Sequence, residues 1–171
     1  MQPILRIIPI ATVLVLVVLS VLPWGVGQSL GFMLPLLPFL AIYYWMRRHS
    51  QLMPALFVFA SGLAVDVLSY GPLGYWSIVY LAGLGLTALL ERIDTAGGGF
   101  VSWAGFCGVI AGLALIAWLV ASLYYVRFID WQPMARAAGV LLLVYPLFRT
   151  LLDPLDRLVC EPQTPNFKRR A

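Results

Sequence analysis

The sequence predicts an all-α polytopic membrane protein with six transmembrane helices, and three observations carry that prediction. Of its 171 residues, 62% are hydrophobic and 11% are charged, with a mean hydropathy of +0.93. A soluble domain is about half apolar and a quarter charged, so this chain lacks the charges that would coat a globular surface. The apolar residues fall into six runs separated by short links. The basic residues are spread unevenly among those links, the asymmetry that sets topology in a bilayer. A span takes roughly 20 residues. Six of them consume nearly all of residues 1–171 as a single membrane domain and leave no room for a soluble one.

The first span covers residues 4–22, with Arg6 one turn in. It imitates a signal peptide, but Gly25 and Gly27 make a poor cleavage site and five more runs follow, so it is read as an uncleaved span. The second span, residues 31–46, is short and carries Pro35 and Pro38. It is expected to kink or to begin irregularly, with neighbouring groups satisfying the freed carbonyls. Tyr43, Tyr44 and Trp45 at its end read as an interfacial cluster, and Arg47, Arg48 and His49 follow as a loop.

The third span covers residues 52–69. A tight link, Tyr70-Gly71-Pro72-Leu73-Gly74, leads into the fourth, residues 73–90. Pro72 suits the first turn of that helix, where a missing N–H has no helical partner to lose. Glu91, Arg92, Asp94 and the glycines at 97, 98 and 99 form the next loop. The fifth span, residues 100–126, is the longest. Trp103 and Tyr124 lie roughly 31 Å apart along its axis, close to the hydrocarbon thickness, and read as opposite aromatic belts. Ala104, Gly108 and Gly112 form a small-xxx-small stripe expected to pack closely against a neighbour. The sixth span, residues 137–152, contains Pro146 and Arg149, and residues 153–171 form a polar cytoplasmic tail.

With the N-terminus inside, the cytoplasmic segments hold Arg6, Arg47, Arg48, Arg92, Arg157, Lys168, Arg169 and Arg170, whereas the outer loops hold Arg127 and Arg136. Eight against two favours both termini in the cytoplasm. The net charge of +4 is therefore read as a topology signal and not as nucleic-acid binding. The basic tail is read as a topology anchor, in preference to a contact for anionic lipid or an acidic partner. Cys107 sits in an apolar run and Cys160 in the polar tail, so two free thiols are expected.

Asp66 is the most informative single residue, because an ionisable group inside a span is a functional candidate by default. It lies just before the link that opens the fourth helix. Its carboxylate could accept hydrogen bonds from unsatisfied N–H groups at that helix start and lock the two spans as a hairpin. That structural role is preferred to a partner or ligand role, and both to a proton relay. Arg149 lies roughly 18 Å below the outer face, too deep to pair with Asp66, and either snorkels inward or meets a partner helix. Arg127 or Arg136 is the better-placed cation for Asp66.

Enzyme motifs are sparse. His49 reads as a solvated loop residue. No metal-ligand spacing, serine–histidine pair or phosphate loop is visible. Asp153 and Asp156 flank Pro154 and read as a helix-terminus or interfacial pair. No cofactor is expected.

At Gly62-Leu63-Ala64-Val65-Asp66-Val67-Leu68, followed by Gly71-Pro72-Leu73-Gly74, the chain resembles the MreD family of bacterial rod shape-determining membrane proteins. The proline-leucine pairs from Pro35 running into the aromatic end at Trp45 resemble that family's second span. The resemblance covers most of the chain as architecture and residues 35–75 at motif level. It implies a non-enzymatic scaffold of the cytoplasmic (inner) membrane that binds an MreC-like bitopic protein. It extends to MreB, RodA and a transpeptidase penicillin-binding protein as further partners in peptidoglycan synthesis. It also implies a fold similar to the substrate-binding subunits of energy-coupling-factor transporters, with a cavity open to the outer face that Asp66 and the Gly71 to Gly74 turn line or brace. Under this reading Gly62, Asp66, Gly71, Pro72, Gly74 and Arg149 are structural or partner-binding residues.

The alternative is one of those vitamin-transporter subunits. They usually carry an Ala-x-x-x-Ala stripe on the first span, whereas here Ala11 is followed four residues later by Val15. A small intramembrane enzyme would need an acid, base or nucleophile at the depth of Asp66, and none is evident.

Overall fold

The computed structural model describes residues 7–22, 31, 34–93 and 99–159. The expectations for Arg6, the Gly25 and Gly27 site, Asp94, Gly97, Gly98, Cys160 and the basic tail lie outside the described residues. Among those described, the chain is all-α with six helices: α1 Ile7–Val21, α2 Leu37–His49, α3 Ala55–Leu68, α4 Tyr75–Ile93, α5 Gly99–Tyr124 and α6 Gln132–Val159. Short 3-10 turns, Leu34–Leu36 and Ser50–Leu52, bracket α2.

Two helical stretches, Trp103–Tyr124 in α5 and Gln132–Arg157 in α6, are long and apolar enough to cross a membrane. Helices α1 and α3 are apolar but have 15 and 14 residues, about 22 and 21 Å long at 1.5 Å per residue. The six apolar runs thus become six helices of unequal length. Pro54 caps the start of α3 in extended geometry, and Tyr70 ends it with a positive φ of 54°.

The second helix is the centre of the molecule. Its residues from Pro38 to Trp45 are all buried, because α1, α4 and α6 pack around it. This corrects the interfacial reading of Tyr43, Tyr44 and Trp45. The Tyr43 ring meets Phe106 at 5.0 Å and Tyr145 at 5.6 Å, and Phe106 stacks on Tyr145 at 4.1 Å. Trp45 Nε1 donates to Thr12 Oγ1 at 2.9 Å. Aromatic side chains with a polar tip are buried where that tip finds a partner, and both kinds of contact occur here. Pro38 sits in the first turn of α2 and Pro35 in the preceding 3-10 turn. Neither interrupts a helix interior, so of the two expectations, a kink or an irregular start, the irregular start is the one found.

The stripe on α5 is also corrected. Ala104 and Gly108 face outward, and a Cβ built on Gly108 would meet nothing within 4 Å. Gly112 does approach Leu86, at 2.9 Å for a built Cβ, but its partner in packing is Gly105, facing Leu90 and Tyr43. Phe106, Val109, Ile110, Leu113 and Ala117 form the buried face. A helix apolar all round carries little pattern to fix its rotation, so the large side chains filling the core decide which face turns inward.

Helix α6 runs through Pro146 and Pro154 to Val159. The polar tail expected from residue 153 therefore starts at least seven residues later, and Asp153 and Asp156 are helical. Large apolar side chains stay exposed around the bundle, among them Leu14, Val18, Leu56, Leu119, Leu143, Leu147 and Leu151. Apolar surface that extensive marks an interaction with lipid or protein.

Candidate functional site

The features singled out in the sequence converge at the end of the bundle where α3 turns into α4. Asp66 has 0% exposure. Its Oδ2 accepts the Gly74 N–H at 2.9 Å and its Oδ1 the Trp76 N–H at 2.9 Å, with Ser77 Oγ at 3.5 Å. The first N–H groups of a helix have no helical acceptor, and this carboxylate supplies one. The helix dipole adds to the attraction.

Local geometry makes the arrangement reachable. Ser69 N–H donates to Val65 O and Gly71 N–H to Asp66 O, which closes α3 with the 6→1 bond of a Schellman-type end. Gly74 has a φ of +91°, a conformation that favours glycine. Pro72 lies in the link and not in the first turn of α4, a further correction. The helix opens only after Gly74, where Ile78 N–H donates to Gly74 O at 2.9 Å. Gly62 seats α4 directly on α3: a Cβ there would lie 2.6 Å from Ser77 Cα.

Gly62, Asp66, Gly71, Pro72 and Gly74 are therefore brought together as one joint. Arg149 is not part of it; it is half-buried on α6. Among the described residues no cation pairs with Asp66, and Arg136 instead donates to Gln132 Oε1 at 3.2 Å. The preferred expectation for Asp66, an acceptor for free N–H groups at the next helix start, is thus met, and the pairing with Arg127 or Arg136 is not found among the described residues.

Beside this joint lies a cavity of about 530 Å³. Its walls come from Pro35 before α2, Pro72, Tyr75 and Trp76 around the start of α4, Tyr124 and Tyr125 at the end of α5, and Asp130 and Met134 near the start of α6. Tyr75 OH donates to Ala117 O at 3.0 Å and Tyr80 OH to Pro35 O, so hydrogen bonds to backbone tie two walls. Sequence reading anticipated a cavity here only through the family resemblance. No local motif announces it, because its lining comes from widely separated segments.

The opposite end holds a cluster that sequence reading missed. Arg48 Nη1 contacts Asp156 Oδ2 at 2.5 Å, Arg48 Nη2 contacts Asp153 Oδ1 at 3.1 Å, and His49 Nε2 lies 2.9 Å from Asp156 Oδ1. Tyr44 OH donates to Asp153 Oδ1 at 2.9 Å, and the Arg48 guanidinium lies 5.4 Å from the Tyr44 ring centre. His49 is thus the last residue of α2 and a partner of α6, not a solvated loop residue. The partners are more than 100 residues apart, so spacing gave no hint of them.

Asp156 is 5% exposed and depends on Arg48 for its counter-charge and on His49 for a further hydrogen-bond partner. Arg48→Ala is expected to destabilise the chain by about 1–3 kcal/mol, read as a lowered unfolding midpoint in detergent. Asp153→Ala is expected to lose less, about 1 kcal/mol, because the Arg48–Asp153 pair is over a third exposed and solvent-screened, which leaves mainly the cost of the Tyr44 hydroxyl losing its acceptor. Equal losses in the two variants would contradict this assignment.

Among the described residues no group of three metal-ligating side chains occurs, and Cys107 is a half-buried free thiol. Comparison with protein-family models, with curated proteins and with solved structures returns no match.

Proposed function

We propose that the chain is a non-enzymatic scaffold of the bacterial cytoplasmic membrane, working in the cell-wall elongation complex through an MreC-like bitopic partner. MreB, RodA and a transpeptidase penicillin-binding protein complete the proposed assembly. The six helices are read as one membrane bundle, similar in fold to energy-coupling-factor substrate-binding subunits, with both termini cytoplasmic. The short helices are compatible with a bilayer that thins locally, at a fraction of a kcal/mol per Å of mismatch.

The observation that carries the reading is the use made of the motif on which the family resemblance rests. Gly62, Asp66 and Gly74 are spent on an internal joint, with Asp66 at 0% exposure and bonded to backbone N–H groups. That arrangement supports a role in setting shape over one in acting on a substrate. Function would then lie in the surface that the joint holds in place. The wide apolar flank of α6, with Leu143, Leu147 and Leu151 exposed, supports association within the bilayer by packing.

The test is a mild-detergent pull-down of the tagged chain from its native membrane, with mass spectrometry of the recovered proteins. Recovery of an MreC-like bitopic protein with cell-wall synthases is the expected result. Recovery of paired ATPases with a transmembrane coupling subunit would overturn it in favour of a vitamin-transporter subunit. The cavity beside Asp66, at about 530 Å³, is the observation that keeps this second reading in view.

A further inference from the structure

The cavity beside Asp66 falls within the roughly 300–1,000 Å³ of sites that hold small molecules. Four aromatic residues line it, Tyr75, Trp76, Tyr124 and Tyr125, and Asp130 is the charged residue among its described lining. The rings come as two perpendicular pairs: Tyr75 and Trp76 at 4.9 Å and 81°, Tyr124 and Tyr125 at 5.1 Å and 85°. The first pair is held in place before any ligand arrives. Tyr75 OH is bonded to Ala117 O, which fixes that ring, and the backbone N–H of Trp76 is bonded to Asp66, which fixes the main chain that carries the second ring.

Charge selects what such a cavity takes. Aromatic faces carry negative potential and attract cations, more strongly where water is displaced. Asp130 adds a formal negative charge. Its Oδ1 accepts the Gln132 N–H at 3.1 Å, and Oδ2 has no partner among the described residues. Arg127 and Arg136 share this end of the molecule but are not among the described lining residues, and Arg136 is turned to Gln132. An anion would be repelled by both rings and carboxylate. Asp130 is exposed at the cavity rim, so a neutral molecule gains nothing from its charge whereas a cation does.

We propose that this cavity binds an organic ammonium, with the cationic nitrogen among the tyrosine rings and Asp130, and an apolar body against Trp76 and Met134. The same chemistry comes from two sources, a soluble amine or the ammonium headgroup of a lipid such as phosphatidylethanolamine. The site does not rest on the scaffold reading, since partner recovery and amine binding fail independently.

The test titrates the full chain, purified and delipidated in detergent, with benzyltrimethylammonium, the neutral benzyl alcohol and the anionic benzenesulfonate. The cation is expected to bind at least tenfold tighter than the alcohol, and benzenesulfonate not at all. Asp130→Asn keeps the helix-start acceptor and removes the charge; it should weaken cation binding about tenfold. Tyr125→Leu, at an exposed rim position, should weaken it roughly three- to tenfold. Melting curves check that both variants fold.

A second arm uses native mass spectrometry after extraction from vesicles of phosphatidylethanolamine and phosphatidylglycerol. Retention of phosphatidylethanolamine by the wild type and its loss in Asp130→Asn would support the site with a lipid as the source, even where the soluble probe fails to bind. Equal binding of the three probes, undiminished cation binding in both variants, or retention of neither amine would overturn the proposal.

Discussion

Asp66→Ala is expected to destabilise the folded chain by about 3 kcal/mol, with a fall in unfolding midpoint of roughly 6–12 °C. The side chain is wholly buried, and it is the acceptor for the Gly74 and Trp76 N–H groups. Removing it strands the buried Trp76 N–H and the part-buried Gly74 N–H, at about 1–3 kcal/mol for a buried group left without a partner and less for one that water reaches. It also frees the link between α3 and α4 to change conformation. Asp66→Asn keeps one acceptor oxygen and loses the second together with the charge, so an intermediate loss is expected. The comparison is made by thermal unfolding of the purified chain in detergent. Partner recovery in the same variants separates joint from surface: a scaffold should lose its partner in proportion to the loss of fold. A full-length Asp66→Ala chain with unchanged midpoint, partner recovery and cell shape would remove both the structural and the recognition role.

Gly62→Val is expected to cost about 3 kcal/mol or more. A Cβ at this position would lie 2.6 Å from Ser77 Cα, 2.7 Å from Ser77 N and 2.8 Å from Trp76 C. All three are backbone atoms, so no side chain can swing aside and the two helices must separate. Overpacking a tight core typically costs 1–3 kcal/mol, and more where backbone has to move. Separation would also pull the Trp76 N–H away from Asp66. Gly108→Ala is the matched control. Its Cβ would enter open space, and alanine is the better helix former by nearly 1 kcal/mol, so stability should hold or rise slightly. A Gly62→Val midpoint within a degree of the Gly108→Ala midpoint would show that α3 and α4 are not in the contact described.

The two ends of the molecule differ in how much of them could be read in advance. The Asp66 joint spans residues 62–77, so a carboxylate placed before a glycine- and proline-bearing link already points at the start of the next helix. The position of Pro72 was misjudged, because the true helix start is set by the positive φ of Gly74 and by the reach of the Asp66 side chain. At the other end Arg48 and His49 meet Asp153 and Asp156 across more than 100 residues. Viewed along the chain, those residues are a basic run and a pair of acids near a proline. Only the packing of α6 beside α2 makes them one cluster.

The sequence alone determined an all-α chain of apolar helices, two of them long and apolar enough to cross a membrane, because each apolar run is long enough for a helix and the links hold the breakers. It also determined where the charges could go. Which face of each helix turns inward was decided by the tertiary structure. Tyr43, Tyr44 and Trp45 could have served an interface as well as a core, and Ala104, Gly108 and Gly112 could have faced either way. In helices apolar on every side, no polar face orients the sequence. The choice falls to which large rings interlock around α2 and which buried polar atoms find partners there.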